Sequence, residues 1–170
     1  AIHQTQEANG EAPGLVPVIK TTSPQATTGE LRFLIDTGAN VSILSATAVN
    51  KGVILTEGRI KIRSSTGDLL PIKGRAAVYL EVSGVQLPCL HFWITSQEYA
   101  QFDGIIGTDI LAGLNTTIDC REGKLVFHGI KGPEREVHYC TGQAPAAVHK
   151  LKHQITTRQK RQMIQVLADS

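Results

Sequence analysis

Apolar residues fall in short bursts along this chain, and turn residues cut each burst off before it could form a long helix. Leu15, Val16, Val18 and Ile19 predict a strand over Gly14 to Lys20, with Pro17 pointing to a sheet edge. After a loop rich in Thr, Ser, Pro and Gly, Leu31 to Ile35 predicts a second strand, which ends at Asp36. Val41 to Leu44 resumes the strand pattern, and Ser45 is placed to cap a short helix from Ala46 to Lys51, stopped by Gly52. Arg59-Ile60-Lys61-Ile62-Arg63 alternates charge and Ile with period two. It is followed by turn residues Ser64 to Asp68 and a return over Leu69 to Lys73, which together make a hairpin with a polar, Gly-bearing tip.

Strands follow over Ala76 to Val82 and Val85 to Thr95, the second with Leu90, Phe92 and Ile94 opposite His91 and Trp93. Ordinary packing accounts for both His91 and Trp93. Ile105-Ile106 is a very short apolar strand between glycines. Thr108 is a natural cap for a helix reaching Leu111 or Ala112, and Gly113 ends it. Thr116 to Asp119 and Lys124 to His128 predict a hairpin turning at Gly123. From Lys131 the pattern dissolves: no strand is predicted over 141–170, and Lys150 to Leu167 carries a loose helical stripe of Leu151, Ile155, Ile164 and Leu167. The expected organisation is a polar linker over 1–13, an all-β domain with one or two short helices over 14–130, and a polar, basic tail over 131–170.

Composition narrows this modestly. Hydrophobic residues make up 41% and charged residues 19% of the 170, which suits one globular domain with a tail. The aromatic share is only 5%, so the core must be built from Val, Ile, Leu and Ala. The net charge of +2 selects no partner, but it is unevenly spread. Lys150, Lys152, Arg158, Lys160 and Arg161 face only Asp169 from residue 148 onward, leaving 12 basic and 14 acidic residues before it. A basic tail of this kind could touch nucleic acid, although a solvated linker explains it more simply. No apolar run reaches the ~20 residues that cross a membrane, and the N-terminus lacks a signal-peptide pattern. The only Met is Met163, which points to a segment released from a longer chain. Three cysteines, Cys89, Cys120 and Cys140, are an odd number without paired spacing, as in a reducing compartment. Cys89-Leu90-His91 and His138-Tyr139-Cys140 lack Cys-x-x-Cys spacing, so neither a metal nor another cofactor is expected.

The candidate chemistry lies in Phe33-Leu34-Ile35-Asp36-Thr37-Gly38-Ala39-Asn40-Val41-Ser42. A carboxylate directly after an apolar strand is costly to bury unless it is hydrogen-bonded or shares a proton. Asp-Thr-Gly alone is an ordinary turn. Downstream, however, stands Phe102-Asp103-Gly104-Ile105-Ile106-Gly107-Thr108-Asp109-Ile110-Leu111, with the polar hairpin tip between the two blocks. Together these resemble the retropepsin family, the aspartic proteases of retroviruses and gypsy-type long-terminal-repeat retrotransposons, over residues 14–130.

The resemblance implies a closed, retropepsin-like β-barrel with a dimeric active site. Peptide hydrolysis without a metal requires an activated water and a protonated leaving amine, and two carboxylates sharing a proton supply both. The chain has a single Asp-Thr-Gly, and Asp68, Asp103, Asp109 and Asp119 lack a following Thr/Ser-Gly. The second carboxylate is therefore expected from a second copy in a homodimer. By match to the family, Asp36 is the catalytic carboxylate, Thr37 bonds across the dimer axis, and Gly38 allows close backbone approach. Ala39 and Asn40 border the substrate, Ser65, Thr66 and Gly67 form a flap tip, and Ile105 lies near a side-chain pocket. Asp103 and Asp109 read as turn and helix-start residues. The implied substrate is a Gag-Pol-type polyprotein, cleaved inside the cell or in a virus-like particle. Two alternatives stay open: a cellular retroviral-like protease, and a retropepsin-fold module that dimerises without cleaving. Position 39 is Ala where pepsin-like enzymes carry Ser, which implies activity at higher pH than pepsins show.

Overall fold

The computed structural model describes residues 15–64, 67–130, 135–143 and 152–154. β1 (Leu15–Thr22) and β2 (Glu30–Ile35) pair antiparallel, from Val18 opposite Leu34 to Thr22 opposite Glu30. β2 then runs parallel to β9 (Gly104–Ile106), with Phe33, Leu34 and Ile35 facing Gly104, Ile105 and Ile106. β3 (Ile43–Ser45) lies antiparallel to β9 on its other side and parallel to β8 (Leu90–Thr95). The two sequence blocks thus become adjacent strands at the centre of one sheet. β5 (Ile72–Val78) closes one end against β8, while β6 (Glu81–Val82) and β7 (Val85–Gln86) extend the other end beyond β1.

Among the described residues this path runs from β5 to β7 without returning to β5. The sheet is a curled half-barrel of the retropepsin-like kind expected. A second sheet joins β10 (Thr116–Asp119), β11 (Lys124–Phe127) and β12 (Arg135–His138).

Both faces of the central strands are covered, which is why their sequences are nearly continuous apolar runs. Phe33, Ile35, Phe92 and Ile94 enter one core cluster, where the Phe33 and Phe92 rings stack at 5.1 Å. Leu34, Ile43, Trp93 and Ile105 enter a second cluster with Val16, Ala39, Val41, Ile62 and Phe102. Strand alternation makes the division, because neighbouring residues point to opposite faces.

Several expectations are corrected. The strand predicted over Val85 to Thr95 is split into β7 and β8 around Pro88, which has no amide hydrogen to give a ladder. Ser45 precedes only a single 3-10 turn, Ala46–Ala48, and its hydroxyl donates to the Gln97 carbonyl at 2.7 Å instead of capping. The helix α1 (Thr108–Gly113) is capped by Gly107, so Thr108 lies inside it. Beyond residue 130, where no strand is predicted over 141–170, β12 pairs with β11 and β13 (Cys140–Gln143) pairs with β1. β14 (Lys152–Gln154) pairs with β4 (Lys61–Arg63) where a helical stripe is predicted. Polar strands at sheet edges lack the apolar alternation that marks buried ones. The linker expected over 1–13 lies outside the described residues. Cys89, Cys120 and Cys140 are all free thiols.

Candidate active site

β2 delivers Asp36 from the middle of the sheet. The Asp36 amide donates to the Ile106 carbonyl at 3.0 Å, which continues the β2–β9 pairing one residue past the strand. The chain then turns: the Ala39 amide donates to the Asp36 carbonyl at 3.1 Å, and the Gly38 amide donates to Asp36 Oδ1 at 2.8 Å. Asp36 is only 2% exposed, so this amide supplies a hydrogen bond where burial has removed water. Thr37 and Asn40 on the same turn are exposed, and Gly38 is half-buried. The turn therefore presents Thr37 outward while its carboxylate stays sunk.

The second block holds this turn in place. The Thr108 amide and hydroxyl both donate to the Ala39 carbonyl, at 2.9 and 3.2 Å. The fully buried Ser42 is the other tie. Its hydroxyl donates to Asp109 Oδ1 at 2.6 Å and accepts from the Gly107 amide at 2.9 Å, and its own amide donates to Asp109 Oδ2 at 3.0 Å. The Ile110 amide adds a bond to Asp109 Oδ1 at 2.8 Å, in the first turn of α1. Burial raises the Asp109 carboxyl above its ordinary range, opposed by these hydrogen bonds. Nearby, Arg75 lies over the Trp93 ring at 5.6 Å, and burial lowers its pKa against the opposing pull of Asp109. His91 is likewise lowered by burial and then by Arg75.

Asp36, Thr37, Gly38 and Asn40 thus lie on one turn. Ala39 and Ile105 are both 0% exposed and pack in the second core cluster with Leu34, Val41 and Ile43. Ser65 and Thr66 lie outside the described residues. Gly67 takes φ 91, a left-handed conformation that suits glycine, and its amide donates to the Ser64 carbonyl at 3.0 Å. Asp103 is a lock between strands: its Oδ2 accepts from the Arg32 amide at 2.8 Å, and its carbonyl accepts from the Ser45 amide at 2.9 Å. The residue that sequence reasoning missed is Ser42. Its one signal is a hydroxyl inside the apolar run Val41-Ser42-Ile43-Leu44, where a buried polar group needs a partner.

Leu34 of β2, two residues before Asp36, lines a cavity of about 590 Å³ together with Val18, Tyr99 and Phe102, with Arg32 and Asp103 among its polar groups. The Tyr99 ring stacks on Phe102 at 4.8 Å, and burial pushes its hydroxyl pKa up to about 12. Among the described residues no three His, Cys, Asp or Glu side chains are grouped to hold a metal ion.

Comparison with known proteins places residues 27–110 in a match to a family described as aspartyl protease. The structure resembles the retroviral protease-like domain of Ddi1 from Leishmania major, with a TM-score of 0.51 and 18% identity, over 76% of this chain and 94% of that one. It also resembles EIAV protease complexed with the inhibitor HBY-793, with a TM-score of 0.44 and 19% identity, over 65% of this chain and 96% of that one. A search of curated proteins finds no match. At such identity the Ddi1 likeness speaks for the fold alone.

Proposed function

We propose, from the match of residues 27–110 to the aspartyl protease family, that the chain is one half of an aspartic endopeptidase that processes a retroelement polyprotein inside the cell. The observation that carries this is the Asp36 turn: a buried carboxylate, hydrogen-bonded by Gly38, on a loop whose Thr37 faces outward.

One chain has one such turn, so the working site forms when a second copy brings its Asp36 opposite the first. Two carboxylates about 3 Å apart cannot both ionise, and they share one proton. The ionised member takes a proton from water as the water attacks the scissile carbonyl carbon. The protonated member gives its proton to the carbonyl oxygen. Collapse of the gem-diol then breaks the C–N bond: the carboxyl that took up the water's proton gives it to the leaving nitrogen, and the other carboxylate takes a proton from a diol hydroxyl, restoring the shared-proton pair. Thr37 links the two turns, and the Gly38 amide orients the carboxylate. An extended peptide lies across the Asp36 face, with a side chain in the cavity beside Leu34 and Phe102.

The test incubates the chain with a polyprotein fragment containing its own flanks, with and without pepstatin, beside Asp36→Asn. Cleavage by the unmodified chain alone, blocked by pepstatin and rising more than linearly with chain concentration, is the expected result. Equal cleavage by Asp36→Asn overturns the proposal, and cleavage strictly proportional to concentration at all dilutions removes the dimer. A cellular retroviral-like protease is the second reading, favoured by the fold likeness to the Ddi1 domain. It gains if the flanks stay intact while other proteins are cut in an Asp36-dependent way.

A further inference from the structure

The hairpin between the two motif blocks is not left with an open edge. On one side of β4, Arg63 bridges Leu69 and the Leu70 amide donates to the Ile62 carbonyl at 2.8 Å. On the other side β14 runs antiparallel, with Lys152, His153 and Gln154 opposite Arg63, Ile62 and Lys61. A strand residue can bridge one neighbour on each edge. Because Arg63 bridges both Leu69 and Lys152, the two partners sit on opposite edges, and β14 fills the one the hairpin leaves free.

Ile62 of β4 is 0% exposed and packs in one cluster with Leu34 and Ile105 and with Ala39 of the Asp36 turn. β13 pairs with β1 from Leu15 opposite Gln143 to Val18 opposite Cys140, and Cys140 and Thr141 line the cavity that also contains Leu34. The eight-residue gap between Gln143 and Lys152 spans at most ~30 Å extended. Twice, then, chain beyond residue 138 adds itself as a strand to the edge of another strand, β1 and β4. Strand addition is how an extended peptide binds: main-chain hydrogen bonds hold it whatever its side chains.

We propose that residues 152–154 are an internal occupant of a peptide-docking edge on β4, competing with any extended peptide that would use it. This rests on the protease reading for its consequence, since an occupied edge restrains cleavage of substrates supplied in trans. It does not rest on that reading for the docking itself. Held by its own chain, the segment has an effective concentration of order mM, so a free peptide must displace it. Release of the tail, by cleavage between β13 and β14 or by a substrate in excess, would clear the edge.

The test is made in the full chain carrying Asp36→Asn, so that nothing is cleaved. Lys152→Pro with His153→Pro removes two adjacent amide hydrogens and cannot continue the ladder. The probe is a fluorescent peptide with the sequence of residues 148–158. The double-proline form should bind it at least ~10-fold more tightly, since the tethered competitor is gone, and amide exchange at Lys61 to Arg63 should speed up. Equal affinity in both forms, no binding by either, or unchanged exchange overturns the proposal. In the Asp36-containing chain the same prolines should lower KM for a peptide substrate and leave kcat alone. Absence of all cleavage there, with tighter probe binding by the double-proline form, would discard the enzyme and keep the docking edge.

Discussion

Ser42 and Asp109, far apart in sequence, are joined by two hydrogen bonds, hydroxyl to Oδ1 at 2.6 Å and amide to Oδ2 at 3.0 Å. Through this pair the helix start after β9 holds the chain that leaves the Asp36 turn. The same hydroxyl accepts from the Gly107 amide, so a single oxygen of the first motif block binds two groups of the second. The turn is thus positioned by residues that need never meet substrate.

Ser42→Ala should therefore cost more than a hydroxyl normally contributes. It leaves the buried Gly107 amide without its acceptor and takes a donor from a buried carboxylate, a loss of about 1–3 kcal/mol. Urea unfolding measures it. A change within the experimental error would mean that water replaces the hydroxyl and the tie is weak.

Asp109 should make stability depend on pH in an unusual sense. Burial raises its folded-state pKa above the ordinary 3.8, so across that window the folded chain holds a proton that the unfolded chain has lost. Its contribution to stability falls as pH rises from 3.8 through the folded value. Asp109→Asn cannot titrate. The stability of the unmodified chain minus that of Asp109→Asn should fall across the window, even though the variant is weaker throughout for lost hydrogen bonds. A flat or rising difference would contradict the burial argument.

Gly107→Ala tests the closeness of the two blocks. A Cβ at 107 would stand 2.7 Å from the carbonyl oxygens of both Ala39 and Val41, which are backbone atoms of the Asp36 loop and cannot swing aside. A destabilisation of about 1–3 kcal/mol is expected from such overpacking. The displaced loop should also lower kcat. Full activity in this variant would show that the loop tolerates a shift.

Ala39→Ser should move the acidic limb of the pH–rate profile downward, because a hydroxyl near the carboxylate pair stabilises its ionised form. Ala39 is fully buried, so the new hydroxyl must find a polar partner inside the loop. An acidic limb that stays in place would mean that it turns elsewhere, and the pH range would need another cause.

How much of this was legible beforehand differs residue by residue. Phe33 to Asp36 could be read as a strand ending in a carboxylate, because apolar residues, then Asp-Thr-Gly, is a local pattern with local causes. The short strand at Ile105-Ile106 and the helix after it were legible for the same reason. That Leu34 and Ile35 pair with Ile105 and Ile106 was not, since pairing joins distant residues and any apolar strand could have been the partner. Nor was the full burial of Ile105 and Ala39 legible, since it depends on both sheet faces being covered.

The chain by itself determined the short strands, the turns between them and a single Asp-Thr-Gly, hence one such carboxylate for each copy. Backbone conformation and local polarity are written in neighbouring residues. Only the tertiary structure decided that Ser42 would bind Asp109 and that polar segments after residue 138 would pair with β1 and β4. Edge pairing is made by main-chain groups that every residue carries, so no side-chain pattern announces it, and it appears only when a free edge comes within reach.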